Sequence, residues 1–366
     1  MFILPMLLML LAVAYVYWHI WTILPLGNIA KTVITALLLL PLALMFFGFG
    51  MGDSASTGTV RLVEAIGTSC IFILLYMFMT FVVVDIVRLI APAARPWFHH
   101  NIYGTLGIAL LIIGIFTYGN TNYHHKKKVM LDVNIDKPMG QPLHIVGISD
   151  MHLGYTIGRD EAAKWVDLIN SKKPDMVLIA GDIVDSDVRP DMEDKVYEEL
   201  RRIEAPLGVY ACFGNHDYYA GVEKSAEFMK LSGITLLKDT AVLVDNRFYV
   251  IGRDDRTNPR RKSLNDIISG LDKSKPMILL DHQPYHLEEA ENAGIDLQFS
   301  GHTHNGQVFP VNLITSSMYE RSYGYIKKGE TNIYVSSGIG LWGGKYRIGT
   351  SSEFVLFNVT GNDAAE

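Results

Sequence analysis

Cysteine is nearly absent: the 366 residues contain two, Cys70 and Cys212. That excludes a disulfide framework and fits a reducing compartment. Charge is scarce too. Asp, Glu, Lys and Arg make up 19% of the chain, against about 25% in an average soluble domain. A single water-soluble globule is therefore a poor fit. Disorder is excluded in turn, because 49% of the residues are hydrophobic. The shortage of charge is local. Of 32 basic and 38 acidic residues, only four (Lys31, Arg61, Arg88, Arg95) and three (Asp53, Glu64, Asp85) lie within 1–120. Residues 121–366 keep 28 and 35, a net charge of −7. That acidic balance argues against a nucleic-acid footprint, and no nucleic-acid partner is expected. The first third reads as membrane and the rest as soluble, on a length that suits two domains.

A spanning helix needs about 20 mostly apolar residues. Four stretches qualify: 2–24, 30–51, 63–90 and 102–119. The first lacks a basic lead and a small-residue cleavage site, so it reads as a span rather than a signal peptide. Trp18 and Trp21 sit near its end, where interfacial aromatics anchor helices. The joins are short, which makes a compact antiparallel bundle over residues 1–120. Asp85 and Arg88 are three apart and can pair on one face. No span carries a polar stripe, so the bundle reads as an anchor in a lipid bilayer. Lys126, Lys127 and Lys128 directly follow the fourth span. Positive residues there favour the cytoplasm, giving a multi-pass inner-membrane protein whose soluble part faces inward.

Residues 121–142 read as a linker and lead-in strand, and 143–360 as a soluble domain. Short apolar runs at 144–149, 175–180, 209–213, 277–280 and 297–300 read as buried strands. Amphipathic stretches at 162–170, 192–203, 222–231, 263–271 and 285–292 read as helices between them. Two more strands fall within 241–251, and others at 333–336 and 354–359. Strand–helix alternation means an α/β sandwich, with mixed rather than purely parallel sheets.

The strand ends carry the chemistry. They read Asp150-Met-His152, Gly181-Asp182-Ile-Val-Asp185, Gly214-Asn215-His216-Asp217, Asp281-His282 and Gly301-His302-Thr-His304. Ligands of open α/β sheets gather beyond the carboxyl ends of strands. The donors are oxygen and imidazole with no thiolate, which selects Mn, Fe, Zn, Co or Ni. Asp-x-His and His-x-His are expected to place both donors on one side of an extended segment. Asp150, His152, Asp182, Asn215, His282, His302 and His304 are too many donors for one tetrahedral ion. They suit two divalent ions sharing a carboxylate, which about 3.5–4 Å apart can clamp a phosphoryl group. Each motif alone is common loop chemistry. Five in order, each after an apolar run, make coincidence remote.

These blocks resemble the calcineurin-like metallophosphoesterases over roughly residues 143–357, and within them the membrane-tethered bacterial branch. The resemblance implies a four-layer αββα sandwich, here preceded by the multi-span helical bundle. It implies one ion on Asp150, His152, Asp182 and His304, and another on Asp182, Asn215, His282 and His302, with manganese favoured. His216 would be the catalytic acid rather than a ligand. Asn305 departs from the expected glycine, and the multi-span start departs from the single anchor common in relatives. The implied activity is hydrolysis of a phosphomonoester, phosphodiester or pyrophosphate. The anchor suggests a lipid-linked substrate like UDP-2,3-diacylglucosamine, which some relatives cleave. The alternatives are a phosphatase for another phospholipid or a nucleotide, and a catalytically silent scaffold. Asp185 and Asp217 are expected to support the site, with Asp217 orienting His216. Tyr218, Tyr219, Arg159, Arg253 and Arg347 are candidates for a substrate groove, although a surface or packing role is the commoner one for such residues.

Overall fold

The computed structural model describes residues 3–51 and 55–362, with backbone only for 3–6, 42 and 44–51. The chain divides into two compact units, 1–121 with 343–345 and 122–342 with 346–366.

The first unit is built on helices α1 (Ile3–Ile23), α2 (Asn28–Met51), α3 (Thr57–Ile90) and α4 (Ile102–His124). Val16, Ile20 and Ile23 of α1 pack with Cys70, Leu74 and Phe81 of α3. Elsewhere large apolar side chains face outward, among them Leu110 and Ile113 of α4. An apolar face turned away from the core is what lipid, not water, tolerates. α3 begins ahead of the expected residue 63 because the Ser56 hydroxyl caps it, accepting from the Thr59 N–H at 3.2 Å. Among the described residues, only α3 and α4 are long and apolar enough to cross a membrane; α1 and α2 contribute the shorter apolar stretches Leu7–Ile23 and Asn28–Pro41. Part of the expected join between the second and third spans, residues 52–54, lies outside the described residues. Asp85 does meet Arg88, at 3.3 Å, and also accepts from the Tyr15 hydroxyl at 2.7 Å. His19 lies 3.0 Å from the same carboxylate.

The second unit holds two six-stranded sheets. One runs β1 (Lys127–Ile135), β12 (Glu353–Gly361), β2 (Leu143–Ile148), β3 (Met176–Ala180), β4 (Val209–Cys212) and β5 (Thr235–Leu236). The other runs β10 (Gly324–Lys328), β11 (Thr331–Val335), β9 (Leu297–Ser300), β8 (Met277–Leu280), β7 (Phe248–Gly252) and β6 (Thr240–Val244). β2 through β5 are parallel, as are β7, β8, β9 and β11. β12 runs antiparallel to β2, β6 to β7 and β10 to β11, so both sheets are mixed.

Alternation along each strand feeds two cores. Ile145, Met176 and Leu178 turn inward and meet Ile278, Leu280 and Phe299 of the other sheet. Val146, Ile148, Val177 and Ile179 turn outward onto helices Arg159–Asn170 and Val222–Leu231, through Trp165, Val166 and Phe228. Ile251, Met277 and Leu279 do the same on the far side, against Leu264, Ile268 and Ala290. Gly147 sits where the inner face is crowded, since a Cβ there would lie 2.6 Å from the Phe357 ring and 3.0 Å from that of Phe299.

Three local expectations change. The helix expected over 192–203 is two short ones, Arg189–Glu193 and Val196–Leu200, because Lys195 between them is left-handed at φ 55°. A helix at Val311–Met318 appears where none was expected. The linker expected before the lead-in strand shrinks, since α4 runs to His124 and β1 starts at Lys127. Lys126 bonds the Tyr123 carbonyl at 2.8 Å, and Lys127 and Lys128 open β1 opposite Glu353 and Phe354.

Candidate metal centre

Asp150 and His152 follow β2, Asp182 follows β3, Asn215 follows β4, His282 follows β8, and His302 and His304 follow β9. Parallel strands deliver all these ends to the same rim of the two sheets. The expected extended geometry is not how the donors converge. Asp150, His152, Asp182, His302 and His304 all have positive φ, between 47° and 73°. Each sits in a tight left-handed turn just past its strand, a conformation that costs a non-glycine residue energy and collects at functional sites. Backbone ties hold the turns: Asp150 N–H to the Gly181 carbonyl at 3.1 Å and His152 N–H to the Asp182 carbonyl at 3.0 Å. The glycines of the motifs serve close approach. A side chain on Gly214 would strike the Asp182 carboxylate, and one on Gly301 the Asp150 carboxylate.

Donor atoms gather in three overlapping groups, each with its atoms within 4.8 Å of one another. They are Asp150, His152 and His304; Asp182, His282 and His302; and His152, Asp182 and His216. The first two each bring together three of the four residues expected around one ion. His152 and His304 face each other Nε2 to Nε2 at 3.0 Å. His304 Nε2 is 3.6 Å from Asp150, and His282 Nε2 is 3.1 Å from Asp182. The rings are fixed from behind, as ligating histidines are. His282 Nδ1 bonds the Ala180 carbonyl at 2.7 Å, and His152 Nδ1 bonds Asp185 at 2.9 Å. Each Nε2 is thereby turned inward. Asn215 Oδ1 and His304 Nδ1 are buried without a hydrogen-bond partner among the described residues. Buried orphans of this kind are costly unless something satisfies them. Nitrogen and oxygen donors around ionised Asp182 are the chemistry a divalent cation takes. The donor set fits.

Electrostatics divide the donors: Asp182, His302 and His304 are held in their ligating forms, whereas Asp150 is raised, and His282, which burial lowers, is carried well above the ordinary imidazole range by Asp182 and Asp150. Burial raises the Asp182 carboxyl, but His282, His216 and His152 outweigh it and hold it well below the carboxylate range. Burial raises Asp150. Burial lowers His302 to about 4 and His304 further, keeping both as the neutral imidazoles that bind metals.

His216 lies at the edge of this cluster, its ring 4.5 Å from that of His152. Asp185, not Asp217, orients it: His216 Nδ1 is 3.0 Å from the Asp185 Oδ1 that also receives His152. Burial lowers the His216 pKa, but the Asp185 hydrogen bond and the charges of Asp182 and Asp185 push it up to about 9. Asp217 instead accepts from the N–H groups of Ile183, Val184 and Gly214, at 3.1, 2.9 and 2.8 Å, and so clamps two of the loops together.

Most of the groove candidates lie elsewhere. Arg159 pairs with Glu198 and Glu199. Arg253 is buried on Asp281 and Glu289. The Tyr218 hydroxyl donates to Asp254 at 2.7 Å. Tyr219 stays exposed, its ring 5.2 Å from His216. Arg347 is fully buried and donates to the carbonyls of His304 (2.6 Å), Ser337 (2.5 Å) and Gly340 (2.9 Å) and to the Ser352 hydroxyl (3.1 Å). The loop it grips bonds the Ser149 and Asp150 carbonyls through Ile339 and Gly340. Asn305 replaces glycine at φ 49°, a left-handed position that asparagine tolerates better than most residues.

A mixed two-sheet α/β unit with Asp, His and Asn donors on one rim has the form of a metal-dependent hydrolase. The family model for the calcineurin-like phosphoesterase matches residues 143–306. An uncharacterised metallophosphoesterase of Helicobacter pylori is 33% identical over 263 residues, covering 69% of this chain and 70% of that one. A second, from Aquifex aeolicus, is 30% identical over 259 residues, which are 97% of its length and 69% of this chain. A zebrafish (Danio rerio) transmembrane protein with a metallophosphoesterase domain is 33% identical over 266 residues, 67% of this chain and 60% of its own. Among solved structures, a 5′-nucleotidase precursor of Thermus thermophilus superposes with a TM-score of 0.39 and 16% identity, over 55% of this chain and 50% of that one. The chain belongs to the calcineurin-like metallophosphoesterases. It is a phosphoester hydrolase of a family that works with divalent metal ions.

Proposed function

We propose that this protein is a membrane-anchored dimetal phosphoesterase. Residues 1–120 form a four-span anchor, 121–142 the lead-in, and 143–360 the catalytic domain. Asp150, His152, Asp182 and His304 hold one ion, and Asp182, Asn215, His282 and His302 the other, Asp182 being shared. A pair of such ions supplies charge stabilisation for an in-line displacement at phosphorus. His216, held by Asp185, gives its proton to the departing oxygen as the oxygen of water adds to phosphorus. Tyr219, exposed beside His216, is the aromatic surface for the leaving group. The observation that carries this reading is the convergence of buried carboxylates and imidazoles into overlapping groups of possible ligands, with Asn215 Oδ1 buried and partnerless beside them.

Manganese is the favoured ion for mixed oxygen and imidazole donors. The substrate class is a phosphoester or pyrophosphate carried on a lipid, UDP-2,3-diacylglucosamine-like, and the catalytic side is cytoplasmic. The apolar helices and the lysines that follow α4 support this assignment. Phosphate release by the detergent-purified chain with manganese is the test, run on lipid-linked, nucleotide and aryl phosphates. Turnover that chelator abolishes and manganese restores is expected. No release from any ester would sink the reading in favour of a silent scaffold. A carboxyl-terminal fluorescent fusion that matures only inside should glow, and a reporter active only outside should stay silent. The reverse would move the site to the outer face.

A further inference from the structure

Residues 309–318 carry no charged side chain. The helix within them, Val311–Met318, has no buried residue. Its large apolar side chains face out: Leu313 is 57% exposed, Ile314 56% and Met318 61%, with Phe309 at 43% just ahead. A surface helix ordinarily turns such residues to the core. At 3.6 residues per turn, Leu313, Ile314 and Met318 share one side of this helix with Ser317, while Asn312, Thr315 and Ser316 share the other.

The helix is attached to the metal centre at both ends. Its start packs on the turn His304–Gly306, where a side chain on Gly306 would strike the Asn312 backbone. Tyr319, which ends it, places its ring 6.2 Å from that of His302 and shares a 3.0 Å hydroxyl bond with Tyr285. Just beyond lie Arg321, Tyr323 and Tyr325. Arg321 makes no ion pair or hydrogen bond with any described residue, and its Nε is buried without a partner. The other nearby cations are engaged, Lys327 with Glu330 and Lys328 with Glu320.

An uncharged apolar helix, flanked by tyrosines and an unpaired cation, has the make-up of a segment lying in the headgroup region of a bilayer. The charge complements anionic lipid phosphate. A chain bearing helices of membrane-crossing length also keeps a bilayer at high effective concentration. We infer that residues 309–318 dock on an anionic phospholipid bilayer, with Phe309, Leu313, Ile314 and Met318 among the acyl chains and Arg321 at the phosphates. The inference rests on the reading, proposed above, that α3 and α4 cross that bilayer. Docking here presents the loop of His302 and His304 to phosphoesters borne by lipid.

The test uses the full chain in vesicles of phosphatidylethanolamine and phosphatidylglycerol. Single-cysteine variants Leu313→Cys, Ile314→Cys, Met318→Cys, Ser316→Cys and Ile113→Cys carry an environment-sensitive fluorophore; both native cysteines are buried. Spin-labelled lipids should quench the labels at 313, 314 and 318 as strongly as the α4 label at 113, and the label at 316 much less. Quenching at 314 should fall when phosphatidylglycerol is omitted or when Arg321→Gln is added. If the 113 label is quenched while 313, 314 and 318 behave like 316, docking is overturned and the anchor stands. If 113 is unquenched too, the anchor fails and docking with it. A Met318→Cys cross-link between chains without lipid quenching would assign the face to a second copy and overturn the inference.

Discussion

Arg347→Met tests how the centre is supported. The guanidinium is fully buried and serves three backbone carbonyls and one hydroxyl, drawing the His304 turn onto the loop that bonds Asp150. Methionine fills similar volume and donates nothing. Each orphaned buried acceptor costs about 1–3 kcal/mol. Against that stands relief of the guanidinium's own desolvation, the main cause that lowers its pKa to about 10. The net loss should be about 3–5 kcal/mol, in the range of single changes that break a buried network. It should appear as a lower urea midpoint in detergent with an unchanged slope. The damage is local in kind, because Arg347 braces Asp150 and His304 but makes no bond to Asn215, His282 or His302 among those described. The ion assigned to Asp150 and His304 should be lost first on dilution, leaving the other in place. Arg347→Lys, a point charge without the fork, should recover only part of the stability. An unchanged midpoint with both ions retained would refute the reasoning.

Two other substitutions separate binding from chemistry. His216→Gln should retain both ions by elemental analysis while slowing turnover about 10²–10⁴-fold. The slowing should shrink for nitrophenyl esters, whose departing oxygen needs little protonation, and metal loss parallel to rate loss would make His216 a ligand. Asp185→Asn should weaken metal affinity about 10–100-fold. It should also slow alkyl esters more than aryl ones, because one carboxylate oxygen orients both His152 and His216; effects on metal alone would remove Asp185 from the acid's support.

The positions of β3 and β8 are readable because each is a continuous apolar run followed within two residues by a donor. Each such strand is covered on both faces, and so reads as an unbroken apolar run. Ligand identities followed from residue type, but their geometry did not. An extended Asp-x-His and one wound through two left-handed residues have the same letters. The sequence leaves Arg347 open between groove and packing for a related reason. Nothing local distinguishes a groove arginine from one that closes four hydrogen bonds, one of them to the distant His304 carbonyl. The pairing of Asp185 with two imidazoles likewise depends on loops brought together by the sheets. The helix Val311–Met318 escaped notice because its apolar residues face outward and leave no core-facing pattern. The split at Lys195 was invisible because lysine is a good helix former, and the backbone turns left-handed there only in its tertiary setting.

The central claim is a pair of ions joined by one carboxylate, and metal content per chain tests it most directly. After loading with manganese and removal of excess, elemental analysis of the full-length protein should give two ions per chain, since seven donors exceed one ion's needs. Asp182→Asn should lower both occupancies together. A plateau at one ion with full activity, or an Asp182→Asn protein that keeps one site intact and loses only the other, would contradict the account.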